Sequence, residues 1–105
     1  MGMDMYIDRI KRDPNNKSEV IKREEACYWR KFWRLHEALP FKYGDDEYGK
    51  DVPLTKSDVE LILNFVTHNR DYFDSFESVV SVCALLDEYD SLKADDWDIV
   101  YNANW

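Results

Sequence analysis

The run CYWRKFWRLHEAL, residues 27 to 39, decides how the chain is read. On a helix, Tyr28, Phe32, Leu35 and Leu39 share one face, and Ile21 extends the ladder backwards with Val20 and Cys27 beside it. Ser18 is placed to cap such a helix, Glu19 suits its positive end, and Pro40 stops it. The spacing therefore predicts a helix from Ser18 to about Leu39. Trp29, Trp33 and His36 would form an adjacent stripe, with Arg23, Arg30 and Arg34 on a third side. Aromatics interleaved with bases can stack on and neutralise nucleic acid. A helix with a wide aromatic face and a solvated basic edge gives the same letters. The second reading fits the acidity of the rest of the chain better. Arg30 or Arg34 would then stack on a tryptophan or pair with a carboxylate of the acidic half.

Around this run the pattern is mixed. In MDMYIDRI, Met3, Met5 and Ile7 alternate with Asp4, Tyr6 and Asp8, which predicts a half-buried strand. KRDPNNKS reads as the turn out of it. FKYGDDEYGKDVP is a loop carrying Asp45, Asp46 and Glu47. In LTKSDVEL, Thr55 caps a second helix with Asp58 as reciprocal partner, and Leu54 and Val59 form a hydrophobic staple. That helix should bury Val59, Ile62, Leu63, Val66 and either Tyr72 or Phe73. A third helix, capped by Ser75, should turn Val79, Val82, Cys83 and Leu86 inward, with Val80 and Tyr89 flanking. WDIVYNANW alternates again, placing Trp97, Ile99 and Tyr101 on one side of a closing strand. The expected fold is α+β, a single domain over residues 1–105. About three helices pack with a small antiparallel ribbon formed by the N- and C-terminal strands.

A chain of 105 residues that is 45% hydrophobic and 15% aromatic can bury a core without staples. No apolar run approaches the roughly 20 residues of a membrane helix. The opening MGMDMYIDRIKRD lacks the apolar centre of a signal peptide, so the expected location is the cytoplasm. Cys27 and Cys83 should then be reduced core thiols, although a disulfide forms if their helices pack face to face. Charge is segregated. Residues 9–42 hold ten Lys/Arg and five Asp/Glu, whereas residues 43–105 hold four and fifteen, within a net of −8. Such a molecule repels phosphate backbones over most of its surface and suits a basic partner.

EACYWRKFWRLHEAL resembles a family of small phage and prophage proteins of uncharacterised function. Its members carry a helix reading roughly Tyr-Trp-Arg-Lys and then Ile-His, and the matching motif positions are Tyr28, Trp29, Arg30, Lys31, Leu35 and His36. The family's short opening strand is similar to Met3–Tyr6, and its tyrosine-rich closing strand is loosely similar to Tyr101–Trp105. Trp33 stands where the family has Asn, and a Gly- and Phe-rich loop is replaced here by THNRDYFDSFES. The resemblance implies a phage-type origin and no particular activity.

Few residues offer chemistry. His36 reads as a packed, hydrogen-bonded side chain, and His68 as a complement to the dipole of the second helix. Cys27, His36, His68 and Cys83 have no short metal-binding spacing, so no metal is expected. DDEYGKD fails the EF-hand pattern, because Lys50 and Lys56 occupy its sixth and twelfth positions. Glycine-rich phosphate loops and nucleophile elbows are missing from the sequence, and no cofactor or enzymatic activity is expected. The densest signal is acidic: Asp87, Glu88, Asp90, Asp95, Asp96 and Asp98, with Trp97 among them. Together with Asp45, Asp46 and Glu47, these residues suit a basic groove.

The resulting expectation is a phage-type, non-enzymatic inhibitor of the anti-CRISPR or anti-defence kind. Its partner would be a host protein or ribonucleoprotein with a basic surface, with no direct nucleic-acid or membrane contact. Its acidic face would dock on a nucleic-acid channel. The alternative is an assembly module, a homodimer joined through the Trp29/Trp33 stripe.

Overall fold

The computed structural model describes residues 4–30, 33–39, 50–68 and 76–104. The elements in chain order are β1 (Asp4–Asp13), β2 (Asn16–Arg30), α1 (Trp33–Ala38), β3 (Val52–Pro53), α2 (Lys56–His68), α3 (Phe76–Ala94) and β4 (Trp97–Asn104). The strands form one antiparallel sheet in the order β2-β1-β4-β3. The class is α+β, as the patterning predicts. The terminal strands pair directly, Asp4 with Asn104 through to Lys11 with Trp97.

The main departure lies in the opening run. Residues 16–30 are not helical; they return along β1 as a long hairpin strand, and only Trp33–Ala38 form a helix. Local polar chemistry turns the chain. Asn15 N–H donates to Asp13 Oδ1 at 2.9 Å, and Ser18 donates both N–H and Oγ–H to Asn16 Oδ1. Ser18 thus lies near the start of β2, just past the turn, and is not a helix cap. Residues 16–25 are exposed, and at the end of the strand a period of two sets in: Cys27 and Trp29 are buried, while Tyr28 and Arg30 are exposed. Burial of alternate residues against a core is what fixes strand register. Leu35 and Leu39, the end of the expected ladder, are buried as predicted; Ile21 and Tyr28 are exposed. Phe32 lies outside the described residues.

One face of the sheet carries the core. Met5, Ile7, Cys27, Trp29, Ile99, Tyr101 and Ala103 pack with Leu35, Leu54, Val59, Ile62, Val66, Val82, Leu85 and Tyr89 from the helices and the segment before α2. The start of α2 follows the predicted capping box. Thr55 N–H donates to Asp58 Oδ2 at 2.8 Å, Asp58 N–H donates to Thr55 Oγ1 at 3.1 Å, and Leu54 and Val59 are both buried. Tyr89 Oη–H donates to Leu54 O at 2.8 Å, and Leu54 N–H to Ile99 O at 2.8 Å, tying α3, the start of α2 and β4 together.

Two assignments on α3 need correcting, Cys83 as inward and Val80 as flanking the inner line. Cys83 is exposed and Val80 is 51% exposed; the inner line is Val82, Leu85 and Tyr89. Both faces of this helix are apolar near its middle, so helical spacing alone does not select the buried one. Ser75, Tyr72 and Phe73 lie outside the described residues. The helix ends where Asp96 adopts φ 63°, the left-handed turn usually given to glycine.

Candidate functional site

The segregated charge of the sequence is resolved within the fold. The basic strands β1 and β2 lie beside the acidic end of α3 and the start of β4, and their side chains meet. Arg9 pairs with Glu88 at 3.2 Å, Lys11 with Asp95 at 3.5 Å, Arg12 with Asp98 at 2.6 Å and Lys17 with Asp96 at 2.6 Å. Lys93 also reaches Asp98, and Lys56 on α2 reaches Asp90 at 2.8 Å. Of the two expected partners, Arg30 is not among the cations in these pairs. Arg30 is exposed on the last residue of β2, and the Arg34 side chain lies outside the described residues.

The predicted carboxylates therefore divide into two groups. Asp98 has only 23% of its side chain exposed and is held between Arg12 and Lys93, so it is a structural element. Burial pushes its carboxyl pKa up, but the hydrogen bonds from Lys93 and Arg12 outweigh that and hold it below its ordinary value. Asp96 closes α3 and accepts from Lys17. Asp95 and Asp90 remain 72% and 79% exposed despite their lysines, and Glu88 and Asp87 are exposed too. Exposed ion pairs of this kind contribute only about 0–1 kcal/mol each, so they do not withdraw a carboxylate from a partner. Asp45, Asp46 and Glu47 lie outside the described residues, as does Lys31.

Trp97 sits at the rim, half-buried, with the Lys11 and Lys22 ammonium groups 5.8 and 5.7 Å from its ring centroid. It belongs to the interface between hairpin and sheet rather than standing out as a free aromatic. A second network lies on the opposite face of the sheet. Arg23 donates to both Asp8 and Asp51, and Asn102 Nδ2–H donates to Asp51. Asp8, expected to face solvent, is only 7% exposed, and this arginine compensates its charge.

Of the motif residues, Trp29, Leu35 and His36 are scaffold, whereas Tyr28 and Arg30 are exposed. Trp29 is 3% exposed, and its Nε1–H donates to Ser78 Oγ at 2.9 Å, fastening β2 to α3. The expected dimerising stripe therefore loses Trp29 to the core; the Trp33 side chain lies outside the described residues. His36 is half-buried with Nδ1 2.8 Å from the Tyr101 hydroxyl, the packed arrangement expected of it. Tyr28 faces outward, donating to Asp4 at 2.6 Å and tilted against Tyr6 with ring centroids 5.1 Å apart. A groove of about 420 Å³ runs between this strand and α3, lined by Tyr28, Trp29 and Arg30 and by Glu77, Ser78 and Ser81. The two cysteines are unbonded: Cys27 is in the core and Cys83 is on the outer side of α3. Among the described residues no group of three or more His, Cys, Asp or Glu could hold a metal, and no helix is long and apolar enough to cross a membrane.

Sequence reasoning missed the Arg23 pairs because it placed Arg23 on a helix, and those of Arg9, Lys11, Arg12 and Lys17 because their partners lie far along the chain. The signal available was the charge segregation itself, since a net-positive segment and a net-negative one in so small a domain have few ways to avoid meeting. Comparison with protein-family models, with curated proteins and with solved structures gives no match.

Proposed function

We propose that the protein is a phage-type, non-enzymatic inhibitor that binds a basic surface of a host nucleic-acid-handling defence complex in the bacterial cytoplasm. The carrying observation is an exposed carboxylate cluster in a chain of net charge −8. Glu88, Asp90 and Asp95 stay exposed although Arg9, Lys56 and Lys11 reach them. On the C-terminal half of α3 and just beyond it, Asp87, Glu88, Asp90 and Asp95 are exposed together. A partner lined with Arg and Lys gains attraction over the whole molecule and local pairing at this helix end. The resemblance of Tyr28–His36 to phage proteins supports the setting, and those residues act as the frame behind the docking surface.

The test is a phage-plating assay on bacteria carrying an active CRISPR or restriction system. Expression of the chain should raise plating efficiency. The variant carrying Asp87→Asn, Glu88→Gln, Asp90→Asn and Asp95→Asn should lose that effect while keeping its circular dichroism spectrum. Protection by the variant equal to that of the parent would sink the acidic-docking mechanism.

A further inference from the structure

We infer that the tip of the β1–β2 hairpin is an electrostatic latch, fastened on Asp96 and Asp98 and covering in cis the docking carboxylate Asp95 beside them at the α3–β4 junction. The inference rests on the acidic-docking reading above for its consequence, and on geometry for the latch itself. β1 pairs with β4 only as far as Lys11, so beyond that point the hairpin continues as a two-stranded ribbon. Such a ribbon is marginal by itself. Residues 14–25 are exposed without a break, so no buried side chain holds the tip down. Its pairing is irregular as well, with register shifts between Lys11 and Arg12 and between Arg12 and Asp13.

What fastens the tip to the body is polar. Lys17 reaches Asp96, Arg12 reaches Asp98, and Arg12 N–H donates to Asp96 O at 3.2 Å. Lys11 meets Asp95, and Lys11 and Lys22 lie over Trp97. The ribbon thus presents three cations, Lys11, Arg12 and Lys17, to three consecutive or near-consecutive acids, Asp95, Asp96 and Asp98. That is the chemistry expected of the partner: a narrow basic segment with cations along one edge. A partner of this kind competes with the ribbon, and ribbon opening sets how readily the junction is taken.

The experiment uses the full chain with Lys11→Gln and Lys17→Gln, leaving every carboxylate in place. A charge-matched control carries Arg30→Gln and Lys50→Gln. Hydrogen exchange is measured at low and high salt, and binding is measured with a hexa-arginine peptide. Two exposed pairs, each worth up to about a factor of five, predict tip amides of residues 15–20 that exchange roughly three- to thirtyfold faster in the latch variant. Salt of ~1 M should bring the parent towards the same rate. Hexa-arginine should bind the latch variant several-fold more tightly than the control. Tip exchange unmoved by both variant and salt would overturn the latch. Faster exchange with no gain in peptide affinity over the control would overturn its gating role. Failure of hexa-arginine to bind any form would instead sink the acidic-docking reading, while the exchange data still decide the latch.

Discussion

Trp29 and Tyr28 are neighbours in sequence, and their truncation should have very different effects. On β2 they point to opposite faces of the sheet. Trp29 is 3% exposed, inside the cluster formed with Met5, Val82 and Ala103, and its indole N–H bonds Ser78. A buried tryptophan withdraws roughly 200 Å² from water, worth roughly 5 kcal/mol at roughly 25 cal/mol/Å². Alanine retains part of that area, but the loss of the hydrogen bond and the cavity left behind add to the cost. Trp29→Ala should therefore destabilise by about 3–5 kcal/mol, a large share of the ~5–15 kcal/mol available to an ordinary domain. Trp29→Phe should cost less, because most of the ring area stays while Ser78 Oγ loses its donor. Tyr28→Ala removes a half-exposed ring and a surface hydrogen bond to Asp4, and should move the unfolding midpoint only slightly. Urea unfolding followed by far-ultraviolet circular dichroism compares the three at constant m-value. A Tyr28 substitution as costly as that of Trp29, or costlier, would refute the strand and restore the helical reading of this run.

Three further predictions follow from single sites. Asp98 has its carboxyl pKa held below the ordinary 3.8 in the folded state, so the stability it contributes is fully present above that value and is lost as pH falls through the folded pKa. Asp98→Asn should accordingly flatten the acid limb of the stability–pH curve measured by urea unfolding, and an unchanged limb would contradict the role given to Lys93 and Arg12. Cys27 is buried and its thiol is pushed up to about 12, whereas Cys83 is exposed. A thiol reagent near pH 8 should label Cys83 in the native protein and reach Cys27 only after unfolding, with rapid labelling of both as the contrary result. Asp96 sits at φ 63°, so Asp96→Gly should relieve about 1 kcal/mol of backbone cost and lose the smaller Lys17 pair. A small rise in melting temperature is expected, and a clear fall would show that the ion pair dominates the turn.

The ends of the fold were easy to read from the sequence and the middle was not. β1 and β4 alternate over most of their length, and Met5, Ile7, Ile99, Tyr101 and Ala103 are buried in the core they share with the helices. The capping box at Thr55 and Asp58 is a local interaction, complete within four residues, and it forms as predicted. Residues 18–30 are different. Their apolar positions satisfy a helical ladder and a strand alternation almost equally well, and KREE is a good helix former. The deciding contribution comes from outside the segment: β1 has two edges to satisfy, and β2 covers the one that β4 leaves open. Tertiary pairing overrides propensity here. The same fact explains the ion pairs. Lys11 with Asp95 and Arg9 with Glu88 are separated by more than 75 residues, so no local pattern announces them. For α3 the ambiguity is rotational, because Val80 and Cys83 are as apolar as the residues it buries. Of the predicted carboxylates, only their environment in the fold separates Asp96 and Asp98, which hold the hairpin, from Asp87, Glu88, Asp90 and Asp95, which face outward.

The central claim is that those outward carboxylates meet a basic partner. Its most direct test is binding of the full chain to purified CRISPR effector and restriction complexes, measured at low and high salt beside the Asp87→Asn, Glu88→Gln, Asp90→Asn, Asp95→Asn variant. The account predicts binding to such a complex that weakens steeply with salt and is lost in the variant. Binding that is indifferent to salt and unchanged in the variant, or no binding to any of these complexes, would contradict it.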